Sequence, residues 1–418
     1  MSKKLQAQPA KERKPSDPKW IVLLLMGAAN APGETDLTQF AIEDIRELEE
    51  AFETRKKPTL EIAYQLHQPG GVTRRHVGGA EEAVPAALND RVDGTPLEKF
   101  VRWAVVETDY RPGDRVMLVL WGHAHRFAIG ATVLNGRADA LDFAELVEVL
   151  ERLQTPQPGD RYGILPQFDI IAFDACDCAT LEMAYQLQPF ARYLLASQIR
   201  MPLPGFPYHR ILERLGAPQG RLMGPSEFGR WSVRRFCEFY SVRDEDRDTV
   251  SLTLLDLQQV LPIAETTDRL ARELLARMAD GTEDEALITD LFRLSRTIDT
   301  ADPTRRIKPF VDVADLCLNL LLHCNNEDVR EIARVLGNLL LSPAPVPANQ
   351  SEAGAGVSFI AEHGRNACTT GRLNGVNLYA PHVAGTNDEF QEMNGRYQNF
   401  RFARDVAWFD LVTAMAER

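Results

Sequence analysis

The sequence is short of long apolar runs and of basic charge, and each shortage excludes a class of protein. Its longest uninterrupted apolar stretch is the seven residues Trp20–Met26, whereas a membrane-spanning helix needs about 20. Its 47 Lys and Arg are outnumbered by 60 Asp and Glu, which leaves a net charge of −13. Such a surface is unsuited to phosphate backbones and anionic lipid. We therefore expect no nucleic-acid partner and no membrane partner.

Cysteine is also scarce, with six residues scattered through 418. This usage favours free thiols in a reducing compartment over a disulfide framework. Cys176 and Cys178 are too close in sequence for a typical zinc-binding pair, and the sequence has no second pair of cysteines to complete such a site. The chain has no D-x-D-x-D-G loop of the calcium-binding kind. Its Gly27–Gly33 loop also lacks the G-x-G-x-x-G pattern of dinucleotide-binding folds.

The amino-terminal residues 1–18 are basic and contain proline, but they have no apolar core. A secretory signal peptide needs such a core. We expect a short disordered leader here and a cytoplasmic protein.

Apolar runs of strand length alternate with amphipathic runs of helix length from residue 19 to residue 225. This order is typical of an α/β fold with a mostly parallel central sheet. Residues 226–345 are dominated by long amphipathic runs and predict a mainly helical region. Residues 346–418 regain short strand patterns before a terminal helix. We expect these last residues to pack on the core.

Two of the apolar runs end in reactive side chains. Val116–His125 reads VMLVLWGHAH, and Phe168–Cys178 reads FDIIAFDACDC. Runs without polar alternation suit parallel strands buried on both faces. Functional residues of open α/β sheets lie beyond the carboxyl ends of such strands. A histidine and a cysteine therefore face one crevice if the two strands are neighbours.

A thiol attacks as its thiolate, and a histidine within reach can take the proton and pass it to a leaving amine. Asp174 precedes Cys176 by two residues, so in extended backbone both side chains point to the same side. Its carboxylate is suited to a basic substrate side chain. The alternative is that both residues are buried structural groups, and that the chain is a non-catalytic scaffold or regulator.

Several segments together resemble the clostripain-like (C11) cysteine peptidases of the caspase-like clan. They are WIVLLLMGAAN, FAIEDIREL, LVLWGHAH, FDIIAFDACDCATLEMAYQL, YLLASQ, PGFPY and a late GVNLYAP. The Asp-Ala-Cys block and its continuation are the specific part. The resemblance implies a caspase-like α/β/α sandwich and a peptidase activity.

By position, the resemblance implies His123 rather than His125 as the catalytic histidine and Cys176 rather than Cys178 as the nucleophile. It also implies an oxyanion hole made by the backbone N–H groups of Cys176 and Ala124. Family preference for Arg or Lys before the scissile bond assigns Asp174 to substrate binding.

The sequence departs from the family pattern at two places. Ala124 replaces the glycine that usually follows the histidine. The stretch after YLLAS, residues 198–206, contains Arg200 and no second acid. The pocket for a basic side chain is therefore altered, and catalysis is better supported than specificity.

Family members are often made as precursors that are cut between the histidine and cysteine strands. Arg137-Ala138 lies in that interval, within residues 126–140 that we predict to be a loop. We expect cleavage there by the protein itself or by an activating protease, and a regulatory partner is an alternative means of control. Protein or peptide substrates are implied. No cofactor is required by the residues, and a role for Ca²⁺, which some relatives use, is left open.

Overall fold

The structure is a computed structural model in which the following residues are described: 18–28, 35–55, 59–85, 94–125, 127–134, 137–156, 167–216, 222–242, 250–281, 285–298, 307–341, 358–365, 373–381 and 388–416. All but Pro18 of the predicted leader therefore lies outside the described residues.

Fifteen strands occur in these ranges: β1 Trp20–Gly27, β2 Leu60–Gln68, β3 Gly71–His76, β4 Glu82–Ala83, β5 Arg115–Gly122, β6 Ala124–His125, β7 Ala128–Leu134, β8 Arg137–Asp142, β9 Phe168–Asp174, β10 Ala191–Ala196, β11 Ser251–Asp256, β12 Arg296–Ile298, β13 Ile307–Asp312, β14 Ile360–Arg365 and β15 Asn377–Tyr379.

The α-helices described are α1 Thr38–Glu53, α2 Thr95–Glu107, α3 Phe143–Gln154, α4 Leu181–Leu187, α5 Tyr208–Leu212, α6 Pro225–Ser241, α7 Val260–Asp280, α8 Glu285–Leu294, α9 Val313–His323, α10 Glu327–Leu341, α11 Asp388–Tyr397, α12 Arg401–Asp405 and α13 Trp408–Ala416.

A nine-stranded sheet forms the centre of the molecule, in the order β14-β11-β10-β9-β5-β1-β2-β3-β4. The five strands from β10 to β2 pair in parallel, and antiparallel strands extend the sheet at both edges. The parallel strands are buried on both faces, as their continuous apolar sequences predict.

Helices cover both faces of this sheet. Along β5, Leu118 and Leu120 join the core that includes α2, α3, α4 and the helices after residue 260. Met117, Val119 and Trp121 point the other way, into a second core with α1, α5 and α6. The alternation of strand side chains between two apolar layers makes the fold the predicted α/β/α sandwich.

The central sheet includes chain on both sides of the boundary predicted at residue 225. β11 pairs antiparallel with β10, and β14 pairs antiparallel with β11. A further sheet of three strands, β12-β13-β15, also comes from the carboxyl-terminal part of the chain. The predicted helical region therefore contributes strands to the core.

One local prediction differs from the structure. The segment 126–140, predicted as a loop, contains the hairpin β7–β8, and the hairpin pairs with β6 to make a small sheet.

Helices α9 and α10 follow one another closely in the predicted helical region. The chain leaves α9 at Cys324, and the Asn326 side chain caps the N–H of Val329 at the start of α10, at 3.1 Å.

Within the described ranges, the helices all fall short of the length and apolarity that a membrane span requires.

Candidate active site

The histidine and cysteine strands are adjacent, and their ends are in register. β5 and β9 pair in parallel with Trp121 opposite Asp174. His123 and Cys176 each follow two residues later. Neighbouring strands lie about 4.8 Å apart, so the two residues leave the sheet side by side at its carboxyl edge.

Gly122 allows the chain to turn out of β5 just before His123. Its φ is +145°, and a Cβ at this position would lie 2.9 Å from the carbonyl oxygen of Gly27. Any other residue would meet both the conformational penalty and the close approach of β1. The glycine in the WGHAH sequence is therefore required by the backbone path.

His123 is held by two contacts. Its Nε2 lies 2.9 Å from the carbonyl oxygen of Thr35, ahead of α1. A carbonyl only accepts, so Nε2 carries the hydrogen and Nδ1 of the neutral ring is left as the acceptor. The His123 carbonyl accepts from the N–H of Gly130 in β7, at 2.7 Å. Among the described residues no hydrogen bond joins His123 to Cys176.

Cys176 lies in a tight turn, residues Ala175–Thr180, which we call the cysteine turn. Asp177 within it has φ +58°, a left-handed conformation that few non-glycine residues adopt. The N–H of Asp177 donates to the carbonyl of Ile199 at 3.1 Å, and a second bond joins Ala179 to Ser197 at 2.8 Å. The segment after β10 therefore holds one side of the cysteine turn.

The carboxyl-terminal strand β15 holds the other side of the cysteine turn. The N–H of Asn377 donates to the carbonyl of Ala179 at 2.9 Å. The Asn377 side-chain amide donates to the carbonyl of Gln198 at 2.6 Å, and Gln198 in turn donates to Asp312 at 2.9 Å. These side chains are buried, so the turn lies between two layers of the fold.

The Cys176 thiol is half-buried and accepts from the N–H of Met201 at 3.3 Å. Burial raises its pKa to about 12, and the Asp177 carboxylate adds to that rise, while the Met201 amide, Lys308 and Arg200 lower it. At neutral pH the thiol is therefore protonated in this conformation. A nearby base is required to generate the thiolate.

Asp174 lies on the same side of the sheet as Cys176, as the i, i+2 spacing predicts. Its Oδ2 accepts from the N–H of Phe206 at 2.9 Å and from the hydroxyl of Tyr208 at 2.8 Å. Its Oδ1 is buried without a hydrogen-bond partner among the described residues. Burial raises the pKa of this carboxyl to about 7. The Gly205 backbone, at φ +61°, passes so close that a Cβ would lie 2.7 Å from Oδ2.

Two further acids lie near Asp174, on helix α1. Asp44 is buried and accepts from the Trp121 indole at 2.7 Å, and burial together with the Asp174 charge raises its pKa well above the usual value. Glu47 Oε1 lies 2.9 Å from His209 Nδ1, and its Oε2 is buried without a partner among the described residues. The segment 198–206 brings no acid, but α1 places two carboxyl groups, those of Asp44 and Glu47, near Asp174.

The other predicted site residues lie on β6 and on the hairpin β7–β8 that follows the histidine. Ala124 is in β6, opposite Ile129 of β7, and the His125 backbone follows it. Arg137 and Ala138 begin β8, paired with Leu134 and Val133. The predicted cleavage point is therefore at the tip of a hairpin and not in an unpaired loop, because strand pairing with β7 orders it.

Sequence reasoning missed several residues that contact the site. Thr35 and Met201 act through backbone atoms, which no side-chain pattern reveals. Lys308 comes from β13, 131 residues from its partner Asp177. Arg200 was noted in the sequence, as a cation in a stretch without acids, but its effect on the Cys176 thiol was not predicted.

The described cysteines, five of the six, have free thiols, and Cys368 lies outside the described residues. A search of the described ranges finds no group of three or more His, Cys, Asp and Glu placed to hold a metal ion.

The family model for the clostripain family, Peptidase_C11, matches residues 29–315, more than half of the chain. The chain belongs to the clostripain family. It is accordingly a cysteine peptidase of the C11 type, and its substrates are proteins or peptides. No curated protein matches it.

Solved C11 proteases share the fold of this clostripain-family chain. An inactive zymogen C11 protease from Parabacteroides distasonis superposes with a TM-score of 0.60 at 16% identity, over 94% of this chain and 99% of that one. A secreted C11 cysteine protease from Bacteroides thetaiotaomicron, in complex with an irreversible peptide inhibitor, gives 0.56 at 17% identity, over 94% and 99%. At these identities the likeness shows the fold alone.

Proposed function

We propose that this peptidase cleaves internal peptide bonds with Cys176 as the nucleophile and His123 as the general base. The observation that carries the proposal is the register of β5 and β9, which brings both residues to one edge of the sheet on adjacent strands. The bond from Nε2 to the Thr35 carbonyl leaves Nδ1 as the acceptor for the thiol proton.

In this mechanism His123 Nδ1 takes the Sγ proton as sulfur attacks the carbonyl carbon of the substrate. The peptide C–N bond then breaks, the leaving amine takes the proton from His123, and a thioester remains on Cys176. Water activated by the same histidine hydrolyses the thioester. The backbone N–H groups of Cys176 and Ala124 are the candidate oxyanion donors, and both residues lie at this edge of the sheet.

We further propose that Arg or Lys precedes the scissile bond, with Asp174 receiving its side chain. The support is the Asp174 Oδ1, a buried acceptor left without a partner among the described residues. Leaving such an acceptor unpaired costs about 1–3 kcal/mol, and a guanidinium or ammonium group supplies the missing donor. The Glu47 carboxylate on α1, which raises the pKa of Asp174, adds to the field that favours a cation.

Cleavage after Arg137 is the proposed activating step. The hairpin β7–β8 that carries this bond also donates the Gly130 N–H that holds the His123 carbonyl. Cutting one arm of the hairpin would loosen this contact, so cleavage and the placement of the histidine are linked. The raised pKa of the Cys176 thiol keeps it protonated at neutral pH, which fits a resting form. Autoprocessing and cleavage by another protease are both consistent with this arrangement.

A peptide library read by mass spectrometry tests the proposal. We expect cuts after Arg and Lys by wild type and none by Cys176→Ala. Cleavage after other residues would refute the specificity, and a folded wild type that cuts no peptide after cleavage at Arg137 would favour the scaffold alternative.

The same preparations test the processing step. Incubated wild type is expected to yield two fragments that meet at Arg137-Ala138, whereas Cys176→Ala stays intact unless an external protease is added. A wild type that is fully active while intact would refute the activation step. The cytoplasmic location stays a prediction of the sequence, as does the statement that no cofactor is required, with Ca²⁺ possible.

A further inference from the structure

A buried lysine from the carboxyl-terminal region reaches the cysteine turn. Lys308 on β13 is only 6% exposed, and its Nζ lies 3.2 Å from Asp177 Oδ2. Taking an ammonium group out of water costs several kcal/mol unless a partner compensates. An exposed lysine on β13 would avoid this desolvation cost. The burial of Lys308 beside Asp177 therefore needs an explanation.

The partner of Lys308 is the residue that directly follows the proposed nucleophile. Asp177 has φ +58°, a conformation that costs an ordinary residue about 1–2 kcal/mol. Such a conformation persists only where the surroundings hold it. The Ile199 carbonyl holds the Asp177 backbone, and Lys308 holds its side chain. The direction in which the turn presents Cys176 therefore depends on both contacts.

The same pair sets the charge beside the thiol. The carboxylate of Asp177 opposes formation of a thiolate on Cys176, whereas Lys308 and Arg200 favour it. The charged groups around the thiol are thus Asp177 in its own turn, Arg200 after β10 and Lys308 on β13, with His123 following β5. Without Lys308, the carboxylate of Asp177 would act on the thiol against the Met201 N–H and Arg200 alone among the groups named here.

We propose that Lys308 is a positioning residue for the nucleophile: it fixes Asp177, and through Asp177 the cysteine turn, and it offsets the carboxylate next to the thiol. The inference rests on Cys176 being the nucleophile. It makes the small sheet β12-β13-β15 part of the catalytic apparatus. The same sheet holds the turn through the bond from Asn377 to Ala179.

The test uses the full chain and measures alkylation of Cys176 by iodoacetamide across a range of pH, with the adduct located by peptide mass spectrometry. Lys308→Met is expected to slow alkylation at neutral pH by about tenfold, since loss of one close opposite charge moves a pKa by about one unit. Lys308→Arg keeps the charge and should react at nearly the wild-type rate. Lys99→Met, on α2, is the matched control and should change nothing.

Adding Asp177→Asn to Lys308→Met separates the two roles of the lysine. Removing both charges should restore most of the alkylation rate, whereas kcat on an arginyl peptide should stay below wild type because the turn is no longer held, with KM little changed. A merely structural lysine would not give this split.

Three results would overturn the proposal. One is a folded Lys308→Met with the wild-type alkylation profile. Another is a Lys308→Arg variant that reacts as slowly as Lys308→Met. If Lys308→Met does not fold, the double variant, which buries no unpaired charge, decides through its kcat, and a wild-type kcat there would refute the positioning role.

Failure of the proposed function would look different. Alkylation needs no turnover, so it reports on Lys308 whatever the peptidase assay shows. Full activity in Cys176→Ala would refute the nucleophile, while the alkylation profiles would still support or overturn the effect of Lys308 on the thiol.

Discussion

Cys176 and His123 both follow strands at the carboxyl edge of the central sheet, but different kinds of contact hold them. The cysteine turn is bonded to the segment after β10 on one side and to β15 on the other, and Lys308 pairs with Asp177 inside it. His123 depends on the Thr35 carbonyl, at an exposed position, and on Gly130 in a small hairpin. The fold therefore fixes Cys176, the proposed nucleophile, while His123, the proposed base, depends on contacts that the proposed cleavage could alter. We expect regulation to act on the histidine.

Removal of the Cys176 thiol should have the largest effect and abolish nearly all peptidase activity. Cys176→Ala is expected to lower kcat/KM on an arginyl peptide by on the order of 10³ or more, because no other group replaces the nucleophile. Cys178→Ser is the control. Its hydroxyl can still donate to the Cys176 carbonyl, which Cys178 contacts at 3.1 Å. Equal damage by both substitutions would contradict the assignment.

Removing the imidazole should cost less. His123→Ala is expected to reduce kcat by about 10²–10⁴, the usual contribution of a positioned general base, while the folded variant keeps its Cys176. His125→Ala is the matched control and should stay within a few-fold of wild type. The assignment would be wrong if His125→Ala were the more damaging of the two.

Asp174→Asn should weaken use of basic substrates by about 10–100-fold in kcat/KM, the equivalent of losing a charged hydrogen bond. The pKa of Asp174 is raised to about 7, so the carboxyl is neutral below that pH and charged above it. The attraction for an arginine side chain is thus present above about pH 7 and lost below it.

The ratio of wild-type to Asp174→Asn activity should accordingly rise with pH through about 7, measured on an arginyl and a matched alanyl peptide. A ratio that is flat with pH, or equal for both peptides, would remove Asp174 from the substrate pocket.

The smallest expected effect comes from weakening the support of His123 while leaving that of Cys176 intact. Gly130 has φ +64°, so Gly130→Ala should strain the hairpin that holds His123 by about 1 kcal/mol, a loss of about fivefold in kcat. Alkylation of Cys176 by iodoacetamide should be unchanged, since the cysteine turn has its own supports. A slower alkylation would show that the two turns are not held independently.

Local sequence patterns were sufficient for the core of the fold. Continuous apolar runs predict two buried parallel strands that end in a histidine and a cysteine, and the structure shows that these strands, β5 and β9, are neighbours. The shared side of Asp174 and Cys176 follows from the two-residue period of extended backbone.

Contacts between distant segments could not be predicted. The hairpin β7–β8 was missed because β8, which reads RADALD, has no apolar run, and it gains its order by pairing with β7. The pairing of β11 with β10 joins chain on both sides of the boundary at residue 225. Lys308 is one cation in a region read as helical, and only the folded chain shows its contact with Asp177.

Labelling by an arginyl acyloxymethyl ketone tests the central claim most directly, because the reagent needs a pocket that accepts a basic side chain, a nucleophile and a base at once. Peptide mass spectrometry after treatment should find the adduct on Cys176 in wild type and strongly reduced labelling in His123→Ala. Labelling of Cys178 or another residue in its place, or equal labelling of Cys176 in the folded His123→Ala variant, would contradict a His123–Cys176 dyad.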